Sequence, residues 1–262
     1  MADTPIRFDD GAAYERMMGV WSRSAGEVFL DWVAPQPGLR WLDVGCGNGA
    51  FTALLAARCA PAALQGVDPS AGQLAYARTR PDRGMAEFSE GQAMALPLAD
   101  NSVDAATMAL VIFFVPDPAK GVAELARVLT PGGIAAAYAW DMHGGGFPLE
   151  PIFVQMRALG LPVAGPPSAD ASRSAAMRDL WQGAGFQEVE TRMIAVERRF
   201  KDFEEYWTIG SKGPGLSTAL AGMDPAQVAR IKSATQASLE PNADGTLTCS
   251  ARANAVKGRL PR

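Results

Sequence analysis

A chain of 262 residues with 48% hydrophobic and 20% charged residues has the composition of a folded globular protein and the length of one α/β domain with an insertion. Its formal net charge of −4 argues against a phosphate-rich polymer as partner, and no apolar run approaches the ~20 residues that span a bilayer. Three scattered cysteines, Cys46, Cys59 and Cys249, with the single His143 lack metal-ligand or redox spacing, so reduced thiols, no metal and a cytoplasmic location are expected; the polar start, Met1 to Asp10, carries no apolar signal segment.

The pattern predicts an N-terminal helical stretch over Ala12 to Ala34, interrupted near Gly19, and then a buried strand at Arg40 to Val44. A glycine turn leads into a helix from Ala50 to Arg58 with Phe51, Leu54 and Leu55 on one face. Leu64 to Val67 is a second strand. Ser70 and Gln73 form a capping box that opens the next helix. Glu87 to Ser89 is a third strand, and the apolar run Asp104 to Phe114 a long fourth one. Lys120 to Leu129 reads as a helix with Val122, Leu125, Val128 and Leu129 inward, stopped by Pro131-Gly132-Gly133. Ile134 to Trp140 is the fifth strand. Gly144 to Ser172, rich in Gly and Pro, breaks the rhythm, with a short helix around Ile152 to Leu159. A helix at Arg173 to Gly183, a strand at Val189 to Arg199, a helix opened by Asp224-Pro225 and an alternating strand at Thr246 to Lys257 complete the chain. Strand–helix alternation of this kind marks a parallel sheet with crossover helices. The expected parts are a helical cover (1–36), a core (37–140), an insertion or lid (141–172) and a C-terminal completion of the sheet (173–262), all in one domain.

The sharpest signal is LDVGCGNG, Leu42 to Gly49, a strand running into a glycine turn that opens a helix. Glycines allow tight turns and close approach of a ligand, at the strand end where doubly wound sheets bind ligands. The spacing is G-x-G-x-G rather than the G-x-G-x-x-G of nicotinamide-dependent dehydrogenases. Asp43, two residues before the first glycine, is ill placed beside a pyrophosphate and suits a cationic ligand such as S-adenosylmethionine (SAM). Asp68, which ends the second strand in Val67-Asp68-Pro69-Ser70, can accept both hydroxyls of a ribose.

These motifs, with GQAMALPLADNSVD (Gly91 to Asp104) and LARVLTPGG (Leu125 to Gly133) in that order, resemble class I SAM-dependent methyltransferases, of the type that includes ubiquinone- and menaquinone-pathway enzymes. The resemblance is strong over Arg40 to Trp140. It implies a doubly wound, Rossmann-like sheet of seven strands, mostly parallel with the last antiparallel, and SAM as cofactor. It implies Gly45, Cys46 and Gly47 along the cofactor, Asp43 near its methionine portion and Asp68 on the ribose. Pro69 packs on the adenine, Ala93 offers the ring its N–H, and Leu110 lines the methionine end. One departure is Gln92, where the family commonly has Asp; the Gln carbonyl also accepts from the adenine amino group, with reshaped recognition.

A sulfonium methyl is already activated, so alignment of the acceptor is the main task. The Asn/Asp-Pro-Pro-aromatic motif of amino-methylating nucleic-acid enzymes is absent, and the segment reads Val111 to Asp117 instead. Apolar residues Ile112 to Val115 at the ligand end suggest a small, apolar or aromatic acceptor, with Phe147, Phe153 and Met156 of the insertion closing over it. His143 and Asp141 are candidate bases, against the plainer expectation that a lone His is structural. Tyr14, Met17, Met18, Trp21 and Arg23 either pack as a helical stripe or cover the cofactor, with Arg23 on the SAM carboxylate. The competing readings are a nicotinamide oxidoreductase and a catalytically silent SAM- or partner-binding relative. Nothing in the sequence fixes an oligomeric state.

Overall fold

The computed structural model describes residues 15–163, 165–213 and 215–262. The strands are β1 (Arg40–Val44), β2 (Ala63–Asp68), β3 (Glu87–Glu90), β4 (Val103–Ala109), β5 (Leu129–Trp140), β6 (Gln187–Phe200) and β7 (Leu247–Arg259). They form one sheet in the order β3-β2-β1-β4-β5-β7-β6. From β3 to β5 neighbours run parallel, and β7 is antiparallel to both β5 and β6, which is the expected architecture. The winding reverses between β1 and β4, so their carboxyl ends flank the crevice in which such sheets hold ligands.

The helices are α1 (Val20–Val33), α2 (Ala50–Cys59), α3 (Ala71–Thr79), α4 (Pro118–Val128), α5 (Glu150–Ala158), α6 (Ser174–Gly183), α7 (Phe203–Gly210), α8 (Leu216–Ala221) and α9 (Pro225–Ala237). Side chains start several of them. Asp117 accepts from the Lys120 N–H ahead of Pro118, and Asp224 from the Ala226 N–H ahead of Pro225, each satisfying an otherwise unpaired donor of the first turn. A π-helical turn, Glu15–Gly19, runs into α1 with Gly19 itself in the helical region, so the interruption expected near Gly19 is a change of helix type and not a break; Ala12 and Tyr14 lie outside the described residues. The centre of the sheet is built from small residues. Ala105, Ala106, Ala135, Ala136, Ala137 and Ala139 are all buried, and the fully buried Trp181 packs on one face of the sheet, its indole N–H donating to Ala135 O at 3.1 Å.

Two expectations are corrected. The fourth strand does not run to Phe114: it ends at Ala109, Leu110 adopts a left-handed φ of 61°, and Ile112–Phe114 form a 3-10 turn. Pro131-Gly132-Gly133 do not stand between helix and strand. β5 already begins at Leu129, opposite Val103, and the ladder resumes at Ile134 opposite Ala105, so Thr130 to Gly133 bulge out with Gly132 at φ 79°. The region between β6 and α9, to which the sequence pattern assigns no element, holds α7 and α8.

Beyond the Trp140–Ala253 pair β5 ends, while β6 and β7 continue as a ribbon to Phe200–Leu247. On this ribbon sits a cap. Tyr206 of α7 donates to Pro148 O at 3.4 Å, and the Arg198 guanidinium donates to Met17 O at 3.1 Å while lying over the Phe200 ring. Leu149, Ile152, Met156, Tyr206 and Trp207 are buried within it. No helix among the described residues is long and apolar enough to cross a membrane.

Candidate functional site

The glycine loop after β1 takes three consecutive left-handed glycines at alternate positions, with φ 71° at Gly45, 52° at Gly47 and 78° at Gly49. Their surroundings differ. A side chain at Gly45 would meet Val111 Cγ2 at 2.5 Å, so this glycine is required by the turn that follows β4. At Gly47 nothing lies within 4 Å of a Cβ, leaving space open to a ligand. The Gly45 and Cys46 N–H groups donate to Val67 O at 2.7 and 3.1 Å, and Cys46 O accepts from Gly49. Cys46 is buried with its sulfur against Gly66; its backbone is consumed by the loop itself.

Asp68 ties the loop to the next element. Its Oδ2 accepts from the Gly47 N–H at 2.8 Å and its Oδ1 from the Ser70 N–H at 2.8 Å. Only half of the expected capping box therefore forms as drawn. The Ser70 hydroxyl accepts from the Gln73 N–H at 3.3 Å, while the N–H of Ser70 goes to Asp68. A carboxylate has about four acceptor positions, so two remain at Asp68 for an outside partner. Burial pushes its pKa up, and the two backbone N–H groups pull it back.

Asp43 lies deeper, with 1% of its surface exposed. Thr52 of α2 donates to its Oδ2 at 2.6 Å, and its Oδ1 accepts no hydrogen bond. Burial raises the Asp43 pKa to about 7; the Thr52 hydroxyl lowers it, the Asp68 charge adds to the rise, and Thr107 opposes it. A buried carboxylate with an unfilled oxygen beside a second acid is a place prepared for positive charge. Sequence reasoning missed Thr52; its signal was a hydroxyl among Phe51, Leu54 and Leu55 on the inward side of α2.

Residues 91–93 cross the sheet edge beside Asp68. Glu90 is in register with Asp68, and the Gly91 N–H donates to Asp68 O at 3.2 Å. Gln92 is exposed, Ala93 half-buried and Pro69 exposed. Leu110, buried, donates its N–H to Tyr138 O at 2.8 Å. A left-handed Leu costs about 1–3 kcal/mol and persists where the surroundings enforce it; here Val111 locked over Gly45 does so. Asp43, Gly47, Asp68, Gln92, Ala93 and Leu110 are thus gathered at the carboxyl ends of four adjacent strands.

The other candidates lie on other elements. Asp141 Oδ1 accepts from the Gly144 N–H at 2.9 Å, which shapes the turn after β5. His143 is exposed and pairs through Nε2 with the exposed Asp170 at 3.0 Å. Met17, Met18 and Trp21 are buried in the core, and Tyr14 lies outside the described residues. Arg23 is exposed and lines a shallow groove with Ser22, Arg80 and the first turn of α2. No group of three or more His, Cys, Asp or Glu able to hold a metal occurs among the described residues.

Comparison with known proteins gives the following. Residues 42–137 match the family described as Methyltransferase domain. The chain is 30% identical to the demethylmenaquinone methyltransferase of Renibacterium salmoninarum, over 67% of the chain and 80% of that protein. It is 32% identical to the 2-phytyl-1,4-naphtoquinone methyltransferase of Synechococcus elongatus, over 71% of the chain and 80% of that protein. With other relatives the match is shorter, spanning 36% of one and 47% of another. The crystal structure of the YcgJ protein of Bacillus subtilis superposes with a TM-score of 0.61 at 16% identity, covering 92% of this chain and 99% of that one; at that identity it shows the fold alone.

Proposed function

Because the chain belongs to the class I SAM-dependent methyltransferases, we propose that it transfers a methyl group to a small, apolar or aromatic acceptor, with a quinone-like ring as the first candidate. The observation that carries the donor half is the tie between the open glycine Gly47 and Asp68 beside the buried acid Asp43. Asp68 has acceptor positions to spare for two ribose hydroxyls. Asp43 and Asp68 together favour a cation over a pyrophosphate. Ala93 would offer its N–H to the base, the Gln92 carbonyl would accept from the adenine amino group, Pro69 would pack on the ring and Leu110 would line the methionine end. Arg23, beside the first turn of α2, would face the carboxylate. When bound, the donor supplies an electrophilic methyl on a positively charged sulfur.

The acceptor half rests on the cap. Phe147 and Phe153 stack with centroids 5.4 Å apart, and both are only half-buried, whereas Ile152 and Met156 are core. Small-molecule sites are mostly apolar with a few polar anchors. The relatives named for demethylmenaquinone and a phytyl naphthoquinone add the ring chemistry. A quinone ring becomes nucleophilic only when reduced, so the hydroquinone is the form to supply. Phe153→Ala is expected to lower turnover while leaving the SAM dissociation constant within about twofold; a matching loss of SAM affinity would place Phe153 in the donor site instead. Met156→Ala is expected to cost about 2–5 kcal/mol of stability, read as a fall in melting temperature.

The chain's residues contribute alignment and exclusion of water more than proton transfer. Asp141 is engaged by its turn and His143 by Asp170. We therefore expect His143→Ala to reduce kcat less than tenfold with the true acceptor. A loss in the 10²–10⁴ range of a missing acid or base would make His143 catalytic.

A further inference from the structure

On the reading above, the sugar sits at Asp68 and the transferred methyl faces the cap beyond β4 and β5. The edge segments run in the order 91–93 after β3, Asp68 after β2, glycine loop after β1 and Leu110–Val111 after β4. The base must then extend away from the cap, onto residues 91–93. These residues lie past the end of β3, and their own ladder is a single bridge between Gln92 and Ala95. What holds the following stretch is α4, from the other side. Glu124 Oε2 accepts from the Leu96 N–H at 2.7 Å. Arg127 donates to Leu96 O at 3.1 Å, to Leu98 O at 2.8 Å and to Asp100 Oδ1 at 2.7 Å. The same guanidinium meets Glu124 in a two-point fork, at 2.7 and 2.8 Å.

We propose that Arg127 and Glu124 are positioning residues for the nucleobase. Their fork grips the main chain at Leu96 and Leu98 and so fixes where the Gln92–Ala93 backbone stands against the base. A pair serving only to anchor α4 would be satisfied by one carboxylate. This one takes an N–H and two carbonyls from alternate residues of the same segment, Leu96 and Leu98, and a planar fork sets direction as well as distance. Lysine, a single point charge, cannot reproduce it. The inference rests on the proposed donor site and adds to it a pair that never touches the ligand.

The test uses the full chain and two ligands, S-adenosylhomocysteine and S-ribosylhomocysteine, which differ only by the base. Calorimetry on the wild type gives the base's share of affinity as the ratio of dissociation constants. Arg127→Lys and Glu124→Gln, each checked for an intact melting transition, are expected to shrink that ratio by about tenfold, the value of one well-placed neutral hydrogen bond. Binding of the base-free ligand should stay within about twofold. For the methyl donor, KM should rise with little change in kcat. If both variants keep the wild-type ratio, or lose both ligands equally, the pair is structural and the proposal is overturned. If the wild type itself does not distinguish the two ligands, the donor-site reading falls and the positioning role with it. Should Arg127→Lys prove unfolded, Glu124→Gln and hydrogen exchange of residues 91–100 decide: faster exchange there alone supports the proposal, and unchanged exchange overturns it.

Discussion

Asp68→Ala is expected to weaken SAM binding by about 2–4 kcal/mol, the loss of two hydrogen bonds to a charged acceptor. It should also lower the stability of the ligand-free protein. Asp68 is the acceptor for the Gly47 and Ser70 N–H groups, and a buried donor left unpaired costs about 1–3 kcal/mol. The melting temperature should therefore drop by several degrees. Asp68→Asn, which keeps one carbonyl oxygen, should restore part of the stability and less of the affinity. Calorimetry and thermal melting on both variants separate the two roles. A lowered melting temperature with an unchanged SAM dissociation constant would reduce Asp68 to a tie between loops.

The second large effect is a pH dependence set by Asp43. Its pKa in the folded chain is about 7 against an ordinary 3.8, so the native state holds this proton where the unfolded chain has released it. The protonated carboxyl's contribution to stability is complete below about pH 4. It is lost as pH rises through 7, by an amount on the order of 4 kcal/mol. Asp43→Asn removes that loss, and at pH 8 the ligand-free variant should melt higher than the wild type, the difference narrowing toward pH 5. For a cationic ligand the sign reverses. SAM is favoured by the ionised Asp43, so wild-type affinity should fall as pH drops below 7 and binding near pH 6 should release a proton. Calorimetry in two buffers of different ionisation enthalpy measures that release, which should vanish in Asp43→Asn. Absence of proton release in the wild type, with no gain of stability in the variant at pH 8, would contradict the assignment.

Much of this site was legible in the sequence because it is written in local chemistry. LDVGCGNG shows a strand, a turn that needs left-handed residues and a helix start, all within eight positions. Asp68 was legible from its place at a strand end. Its two backbone bonds were not, because they depend on how the turn after β1 lies against β2. The end of β4 was misread for a related reason. Leu110 to Phe114 is as apolar as a buried strand, and only the packing of Val111 over Gly45 turns it out of the sheet. The bulge at Thr130 to Gly133 hid in Pro-Gly-Gly, which reads as a stop although the strand has already begun. The α7 helix had a usable signal that went unread: Asp202 accepts from the Glu205 N–H at 2.8 Å, and an acid followed three residues later by Glu is a capping pattern. The alternation of β7, by contrast, gave its buried face directly, with Leu247, Cys249, Ala251, Ala253 and Ala255 all inward. Register there follows from a period of two that one face must honour.

The proposed function gives the sheet edge and the cap separate tasks, for two ligands of opposite character. On the proposed reading the donor's polar groups would meet backbone and carboxylates at the sheet edge, where geometry is fixed by strand ends. On that reading the acceptor would meet side chains of α5, α7 and the N-terminal turn, gathered from distant parts of the sequence and held by the β6–β7 ribbon. Such a surface leaves no motif, which is why the acceptor class is read from apolar character and from relatives.

The most direct test is a transfer assay with SAM carrying a trideuterated methyl group, with chelator present. It is run in parallel on demethylated naphthoquinols, RNA and a protein extract, and read by mass spectrometry. The expected result is label on the apolar ring compound with S-adenosylhomocysteine formed in equal amount, and none on the polymers. Label appearing on RNA or protein instead, or SAM bound without S-adenosylhomocysteine from any acceptor, would contradict it.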